Sequence, residues 1–288
     1  MKIRDITIAL IVIILWGLNF IVIKIGLRDV PPLLLGSLRF IAAALPAIFF
    51  VPRPPMAWGW LIALGLTLNV GQFALLFGSM NVGMPAGLAS LLLQAQAFFT
   101  LLGAVIFLRE SWGWNHILGL AIAASGMFVI GFHQDGTVTG AGLWLVLGAS
   151  CCWGIGNVIM RKVSQGVPAY PMISLVVWAS AVAILPLLFL SIYFEGIASW
   201  EPVWQSPTWS AVASVIYLAY FATIGGYSLW GKLLARLPAA TVSPLALLVP
   251  VVGIGSGSLL LGEVLSSWQV GGSLLVMVGL IIHVFRLK

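Results

Sequence analysis

Charged residues are scarce in this chain. Only 7% of its 288 residues are Asp, Glu, Lys or Arg, whereas a soluble domain contains about 25%. The 13 basic and 7 acidic side chains are too few to cover a folded chain of this size with a charged surface. The composition therefore excludes an ordinary soluble protein. With 61% hydrophobic residues, it predicts that lipid surrounds most of the chain.

Residues that carry catalytic or metal chemistry are also few. Cys151 and Cys152 are adjacent in an apolar run, a pattern that indicates neither a disulfide framework nor a zinc site. No Asp or Glu falls in the middle of an apolar stretch, so a proton-coupling carboxylate inside the membrane is poorly supported. Gly231-Lys232 is followed by Leu233, which excludes the Gly-Lys-Ser/Thr phosphate loop of an ATP motor. We expect no metal and no cofactor.

The stretches between charges predict membrane-spanning helices, because each is about one bilayer crossing, roughly 20 residues, or longer. Ten helices are predicted, at about residues 6–26, 33–51, 59–80, 85–107, 115–132, 141–161, 171–194, 209–231, 239–261 and 268–286. The second contains a single charge, Arg39, which we place near its start. Such long runs do not suit barrel strands, and backbone groups in hydrocarbon must be satisfied within their own segment. The predicted fold class is an all-α integral membrane protein.

Basic residues predict the orientation of these helices. With the N-terminus in the cytoplasm, ten of the 13 basic residues fall on the cytoplasmic side, and only Lys24, Arg28 and Arg39 fall toward the other side. The ten are Lys2, Arg4, Arg53, Arg109, Arg161, Lys162, Lys232, Arg236, Arg286 and Lys288. The positive-inside rule then puts both termini of a multi-pass membrane protein in the cytoplasm. This topology explains the net charge of +6 without a nucleic-acid partner.

An internal repeat relates the two halves of the chain. At an offset of 137, Trp16-Gly17 recurs as Trp153-Gly154 and Val30-Pro31 as Val167-Pro168. At an offset of 153, Pro85-Ala86 recurs as Pro238-Ala239, Glu110 as Glu263, Gly119 as Gly272 and Gly126 as Gly279. Each half holds five helices, an odd number, so the halves enter the membrane in opposite directions. We predict two inverted five-helix repeats, residues 1–132 and 138–288, around a central cavity.

An inverted repeat favours a transporter that works by alternating access, because two similar halves allow two states of nearly equal energy. One alternative is an integral membrane enzyme acting on a lipid or peptide. Its best nucleophile, Ser256, has no acid or mid-membrane histidine to activate it. Gly253 and Gly257 around it have the spacing of a helix-packing surface. We therefore expect a transporter and no enzyme, with export of unrelated drugs or metabolites as the other alternative.

Neutral polar residues remain as candidates for binding a small-molecule substrate. Amides, hydroxyls and aromatic rings recur on single helix faces, as in Gly87, Ser90 and Gln94. The predicted substrate-binding residues are Asn19, Gln72, Gln94, Gln96, Asn157 and Tyr227. Gln94 is the first choice, since the small residues on its face should open space beside its amide. A buried amide can equally bond a neighbouring helix. Such an uncharged cavity suits a zwitterion or a small polar metabolite.

Proline is distributed unequally between the two halves. Pro244 and Pro250 interrupt the ninth helix, whereas the equivalent positions of the fourth helix, by the offset of 153, are Leu91 and Ala97. Proline removes an intrahelical hydrogen bond and favours a bend. The pattern predicts that the two helices differ in stiffness and that the ninth bends to gate the cavity.

Four segments carry a family resemblance: Trp16–Phe20, Pro85–Thr100, Gly226–Gly231 and Pro244–Gly253. They resemble the EamA family of the drug/metabolite transporter superfamily, and the likeness extends over essentially the whole chain. Within that family the chain is most similar to bacterial inner-membrane exporters of amino acids such as cysteine and O-acetylserine. The resemblance implies a basket of ten helices whose central cavity is lined chiefly by helices 1, 3, 4, 6, 8 and 9. It also implies export of neutral amino acids or related metabolites.

Overall fold

A computed structural model describes residues 2–109, 113–132, 138–164, 166–237 and 242–284. Its apolar helices are α1 (Ile3–Gly26), α2 (Pro32–Ile48), α3 (Trp58–Asn81), α4 (Ala86–Leu108), α5 (Trp114–Phe132), α6 (Gly140–Ser164), α7 (Met172–Phe194), α8 (Trp209–Leu234), α9 (Ser243–Leu248 continuing as Val249–Leu261) and α10 (Ser267–Val284). A 3₁₀ turn, Ile197–Trp200, and a short helix, Glu201–Gln205, lie between α7 and α8. Glu110, Pro238, Ala239, Arg286 and Lys288, used above, lie outside the described residues.

The chain is an all-helical membrane protein. Within the described residues, six helices are long and apolar enough to cross a membrane, namely α1, α3, α4, α6, α7 and α8. The other four have shorter apolar stretches of 10–17 residues. Large apolar side chains point outward, among them Leu185 (76% exposed) and Leu259 (86% exposed). Water would penalise such a surface, whereas hydrocarbon accommodates it.

Two helices change from α to π geometry in mid-course. The π segments are Gly65–Gly71 in α3 and Tyr217–Gly225 in α8. They occupy equivalent positions in the two halves of the chain, within a residue of the 153 offset. A π turn shifts the register of backbone carbonyls and is frequent at functional sites.

Two other helices contain a 3₁₀ interruption. In α9 the segment Ser243–Leu248 is 3₁₀ and α geometry begins at Val249, with Pro250 in its first turn. In α4 the equivalent segment Leu93–Ala95 is also 3₁₀, although it has no proline. A departure from α geometry is therefore not restricted to the helix that contains proline. Whether α9 alone bends during transport stays a prediction.

Arg39 lies in the middle of its helix. α2 ends at Ile48 rather than at residue 51, because Pro52, Pro54 and Pro55 follow closely and disfavour helix. Arg39 is the eighth of the 17 residues of α2 and is only 2% exposed. The expectation that this charge lies near the start of the helix, toward the outer loops, is therefore wrong. Its guanidinium is packed against neighbouring helices.

Glycine brings α5 and α10 into backbone contact, and these two helices form the most extensive helix pair. A Cβ added to Gly126 would lie 2.6 Å from the carbonyl oxygen of Gly272, and one added to Gly272 would lie 2.7 Å from that of Gly126. Gly119 and Gly279 make the same reciprocal contact further along the same two helices. Small residues allow such close approach where lipid supplies no hydrophobic drive between helices.

Carboxylates at the helix ends hold other helix ends in place. Glu263, just after α9, accepts hydrogen bonds from the backbone N–H groups of Ala86 (2.7 Å) and Gly87 (3.0 Å) at the start of α4. Glu263, the repeat equivalent of Glu110, thus satisfies backbone N–H groups at the start of another helix. Glu195, after α7, likewise accepts from the N–H of Leu34 at the start of α2 (3.1 Å).

Asp29 links the α1–α2 loop to the start of α8. The hydroxyls of Ser210 and Thr208 donate to its carboxylate, the latter at 2.6 Å. These two hydrogen bonds lower the pKa of Asp29. Because the folded-state pKa is depressed, the link is complete at neutral pH and is lost only as pH falls through that lowered value.

Candidate transport site

Arg39 forms the centre of a polar cluster between α2, α3 and α8. Its Nε donates to Thr223 Oγ1 at 2.9 Å, and its Cζ lies 4.0 Å from the centre of the Phe73 ring. Thr223 is held by its own donation to the carbonyl of Leu218 at 2.7 Å, five residues earlier in the π segment. Tyr227 follows Thr223 by one turn on α8. We call Arg39, Phe73, Thr223 and Tyr227 the arginine cluster.

The arginine cluster leaves part of the guanidinium unpaired. Nη1 of Arg39 is buried and has no hydrogen-bond partner among the described residues. Moving a charged group out of water costs several kcal/mol even after relaxation. A desolvated cation–π contact returns about 2 kcal/mol and a hydrogen bond to a charged group about 1.5–3 kcal/mol. These contacts do not involve Nη1, whose donors are therefore available to an anion.

Aromatic rings from α1 and α8 pack beside this cluster. Nε1 of Trp16 donates to the carbonyl of Ala222 at 3.0 Å, a group within the π segment of α8. The Trp16 ring lies 5.1 Å from the Tyr227 ring and 5.3 Å from the Trp230 ring, centre to centre. A Cβ on Gly226 would lie 2.5 Å from Trp16 Nε1, so glycine is required for this close approach. One side chain of α1 and one of α2 thus donate hydrogen bonds to adjacent residues of α8.

Two amides near these helices are buried with an oxygen unpaired. Asn19, one turn after Trp16 on α1, is 7% exposed, and Gln72, just before Phe73 on α3, is 2% exposed. Within the part of the chain that the structure describes, Oδ1 of Asn19 and Oε1 of Gln72 have no hydrogen-bond partner. Buried polar atoms are nearly always paired, so these two oxygens are candidates for binding a substrate.

A second polar group joins α4 to α6. Nδ2 of Asn157 donates to Gln96 Oε1 at 2.8 Å and to Thr100 Oγ1 at 3.1 Å. Thr100 in turn donates to the backbone carbonyl of Gln96 at 2.7 Å. Gly154, one turn earlier on α6, allows α4 to approach closely. The predicted residues Gln96 and Asn157 are thus brought together, and they satisfy one another across a helix–helix contact.

Gln94 links the two 3₁₀ segments. Its Nε2 donates to the carbonyl of Ala246 in α9 at 3.1 Å, a group in the 3₁₀ part of that helix. Gly87 and Ser90, on the same face, contact Ile254 and Gly253 of α9 directly. The small residues therefore admit the neighbouring helix. The expectation that they open space beside Gln94 is wrong, because α9 fills that space.

A charged pocket of about 240 Å³ lies at the end of the bundle near the α9–α10 connection. Lys24, Arg28, Asn81 and Glu263 line it together with apolar residues. Nζ of Lys24 donates to the carbonyl of Met80 at 3.0 Å. None of the six predicted substrate-binding residues lines this pocket.

Comparison with known proteins decides the family. The profile of the EamA-like transporter family matches residues 4–132 and again residues 140–285. Two curated relatives, from Salmonella typhimurium and Escherichia coli, are 45% and 44% identical over 292 aligned positions, covering 99% of this chain and 96% of each relative. The chain belongs to the EamA-like transporter family.

Both relatives are named "Probable amino-acid metabolite efflux pump". A solved crystal structure of another protein is similar to this EamA fold with a TM-score of 0.65, covering 98% of this chain and 96% of that one. Its sequence is 18% identical, so it supports the fold alone. Membership in a transporter family confirms the expectation that the chain is not an enzyme. It also confirms the resemblance to EamA proteins.

Sequence reasoning missed Arg39 in this EamA chain. The available signal was its position as the only charge in an apolar run between residues 30 and 52. An ionisable residue inside a membrane helix is a candidate functional residue by default. The expectation assumed that a charge lies at a helix end. Arg39 instead follows Pro32, the first residue of α2, by about two turns.

Proposed function

We propose that this chain exports neutral amino acids or related small metabolites from the cytoplasm by alternating access. The observation that supports this most directly is the similarity, over nearly the full length of both chains, to proteins named as amino-acid metabolite efflux pumps. Buried amides and a partly unpaired guanidinium are compatible with a small polar substrate, which such groups bind by hydrogen bonds.

The proposed architecture is ten transmembrane helices arranged as two inverted five-helix repeats, residues 1–132 and 138–288, around a central cavity. Paired π segments and paired 3₁₀ segments support it. So do the reciprocal glycine contacts, in which Gly126 meets Gly272 while their repeat equivalents Gly279 and Gly119 meet each other. A two-fold relation between halves requires such self-complementary contacts. The separate family matches to residues 4–132 and 140–285 support a division into two halves.

The proposed location is a bacterial inner membrane, with both termini in the cytoplasm. The basic residues support this orientation. In it, Glu195 and Glu263 with the helix starts that they bind lie on the outer side. Lys24 and Arg28 lie on that side too, at the charged pocket. The pocket would then be the outer vestibule of the substrate path.

The proposed substrate-binding residues remain Asn19, Gln72, Gln94, Gln96, Asn157 and Tyr227. Asn19 and Gln72 have the strongest support, because each presents a buried oxygen without a partner. Gln94, Gln96 and Asn157 already bond other helices. Substrate would have to exchange with those bonds, as happens when helices move between inward-open and outward-open states.

Efflux from loaded vesicles tests the proposed function. We expect purified protein in proteoliposomes to release at least one of cysteine, O-acetylserine, threonine and phenylalanine faster than protein-free vesicles do. Cells that overproduce the protein should also tolerate toxic concentrations of the transported amino acid better. No release of any member of the panel, with unchanged tolerance, would rule out amino-acid export.

Gln94→Ala should slow transport while leaving the folded yield nearly normal. Loss of one hydrogen bond of about 1 kcal/mol to substrate predicts a decrease of roughly fivefold in the transport rate. Ser180→Ala is the matched control, since Ser180 is buried and its hydroxyl bonds only the carbonyl of Val176 in its own helix. A Gln94→Ala protein with full transport and reduced thermal stability would show that this amide only links α4 to α9.

A further inference from the structure

Arg39 is a buried charge for which the described part of the chain provides no counter-ion. The carboxylates of that part are all engaged elsewhere, at helix ends or in loops. Asp5 pairs with Arg236, Asp29 with two hydroxyls, Glu195 and Glu263 with helix N-termini, and Glu201 with Gln205. A guanidinium in the membrane interior normally pairs with an acid or a backbone carbonyl. Here it faces a threonine hydroxyl and a phenylalanine ring.

The contacts that Arg39 does make orient its guanidinium without neutralising it. Nε donates a hydrogen bond to Thr223, and Cζ lies over the face of the Phe73 ring. Nη1 keeps its donors free inside the protein. The planar fork of a guanidinium matches the two oxygens of a carboxylate, which it binds with two parallel hydrogen bonds. The arrangement is that of a fixed, preorganised anion receptor.

Complementary acceptors lie on the helices that flank this receptor. Gln72 directly precedes Phe73 on α3, and its Oε1 is buried and unpaired. Asn19 follows Trp16 by one turn on α1, which bonds the residue adjacent to Thr223 on α8, and its Oδ1 is also buried and unpaired. The guanidinium supplies donors and the two amides supply acceptors, and a zwitterion needs both, because its carboxylate accepts hydrogen bonds and its ammonium donates them.

We propose that Arg39 binds the carboxylate of the transported substrate, and that the side-chain oxygens of Asn19 and Gln72 accept hydrogen bonds from the substrate's ammonium group. The inference rests on the proposed export of amino acids and narrows its substrate class to α-amino carboxylates. Amines and amides of the same size are poor substrates, since they leave the guanidinium unpaired and add a second positive charge beside it.

The test compares an amino acid with its primary amide. The probes are the member of the panel that wild-type protein transports fastest and its primary amide, in which a neutral carboxamide replaces the carboxylate. We expect wild-type protein in proteoliposomes to prefer the acid by about tenfold or more, the worth of a charge-assisted pair. Arg39→Gln should lose most of this preference, mainly through slower transport of the acid. Arg39→Lys, which retains the charge without the fork, should fall between the two.

The ratio of the two rates separates a binding role from a structural one. A variant that is only less well folded transports both probes more slowly and keeps the wild-type ratio. Thr223→Val, which removes the Nε acceptor with little change in volume, should lower the ratio, and Ser180→Ala should leave it unchanged. If Arg39→Gln does not fold, Arg39→Lys and Thr223→Val provide the same comparison.

Two outcomes overturn the inference while leaving amino-acid export intact. One is equal transport of acid and amide by wild-type protein. The other is an acid-to-amide rate ratio in folded Arg39→Gln that equals the wild-type ratio. Where that variant does not fold, a wild-type ratio in both Arg39→Lys and Thr223→Val overturns the inference instead. A wild-type protein that transports no member of the panel contradicts the proposed function itself, a result that differs from both.

Discussion

Replacing Glu263 by alanine should lower the free energy of unfolding by about 2–4 kcal/mol, since the carboxylate makes two charge-assisted hydrogen bonds to the start of α4. The first N–H groups of a helix have no partner within it. Those of Ala86 and Gly87 depend on a residue that follows α9 in the chain. Without Glu263, these groups would be left unsatisfied at the helix end.

Gly262 determines where the Glu263 carboxylate lies. Its φ of +67° turns the chain sharply at the end of α9, a conformation that favours glycine. The backbone N–H of Glu263 then donates to the carbonyl of Gly257 at 3.1 Å. This turn directs the side chain back to the start of α4. The bond therefore joins helices of the two halves of the chain.

Thermal and denaturant unfolding in detergent micelles would measure the effect. Glu263→Gln retains acceptor capacity without charge, so we expect about half the loss. Glu201→Ala is the control, because this exposed carboxylate accepts only from Gln205 in its own short helix. Equal stability of Glu263→Ala and Glu201→Ala would show that water replaces the carboxylate at the start of α4.

Gly272→Ala should destabilise the α5–α10 pair by about 1–3 kcal/mol, the usual cost of overpacking a well-filled contact. The added methyl group would lie 2.7 Å from the carbonyl oxygen of Gly126, a backbone atom that cannot rotate away. It would also lie 2.6 Å from the side chain of Ile130. The helices must separate to admit it, so their backbone contact is lost along several turns.

Gly271→Ala is a closely matched control for this prediction. The residue is the direct neighbour of Gly272 on α10, and a Cβ there would meet nothing within 4 Å. Since alanine forms helix better than glycine by up to about 1 kcal/mol, Gly271→Ala should be neutral or slightly stabilising. The measurement is the free energy of unfolding of both variants under the same conditions. A Gly272→Ala protein as stable as Gly271→Ala would mean that the α5–α10 contact can relax without cost.

The helices of this protein could be predicted because hydrocarbon imposes one rule on every segment. A span must be apolar and about 20 residues long, so the gaps between charges mark it directly. The predicted α1, 6–26, and α7, 171–194, both finish at the residue observed. The start of α1 is observed earlier, at Ile3. In α2 the error lies at Ile48, where nearby prolines and not a charge end the helix.

Side-chain partners could not be predicted in the same way. The sequence placed Gln94 beside small residues, but periodicity alone does not say whether a neighbouring helix or a cavity lies against them. The structure puts Gly253 and Ile254 of α9 there. Nor does sequence pattern reveal the π segments, whose geometry depends on packing between helices.

Composition and charge spacing by themselves determined the membrane class and the helices of this protein, since these follow from the solvent. Identity between distant residues indicated the internal repeat. Only the tertiary structure decided which polar atoms are satisfied. Gln96 and Asn157 bond each other, whereas Asn19, Gln72 and Arg39 keep unpaired atoms. The physical reason is that a hydrogen bond requires two groups within about 3 Å of each other. The packing of the helices sets that distance, and the sequence of a single helix does not specify how it packs against the others.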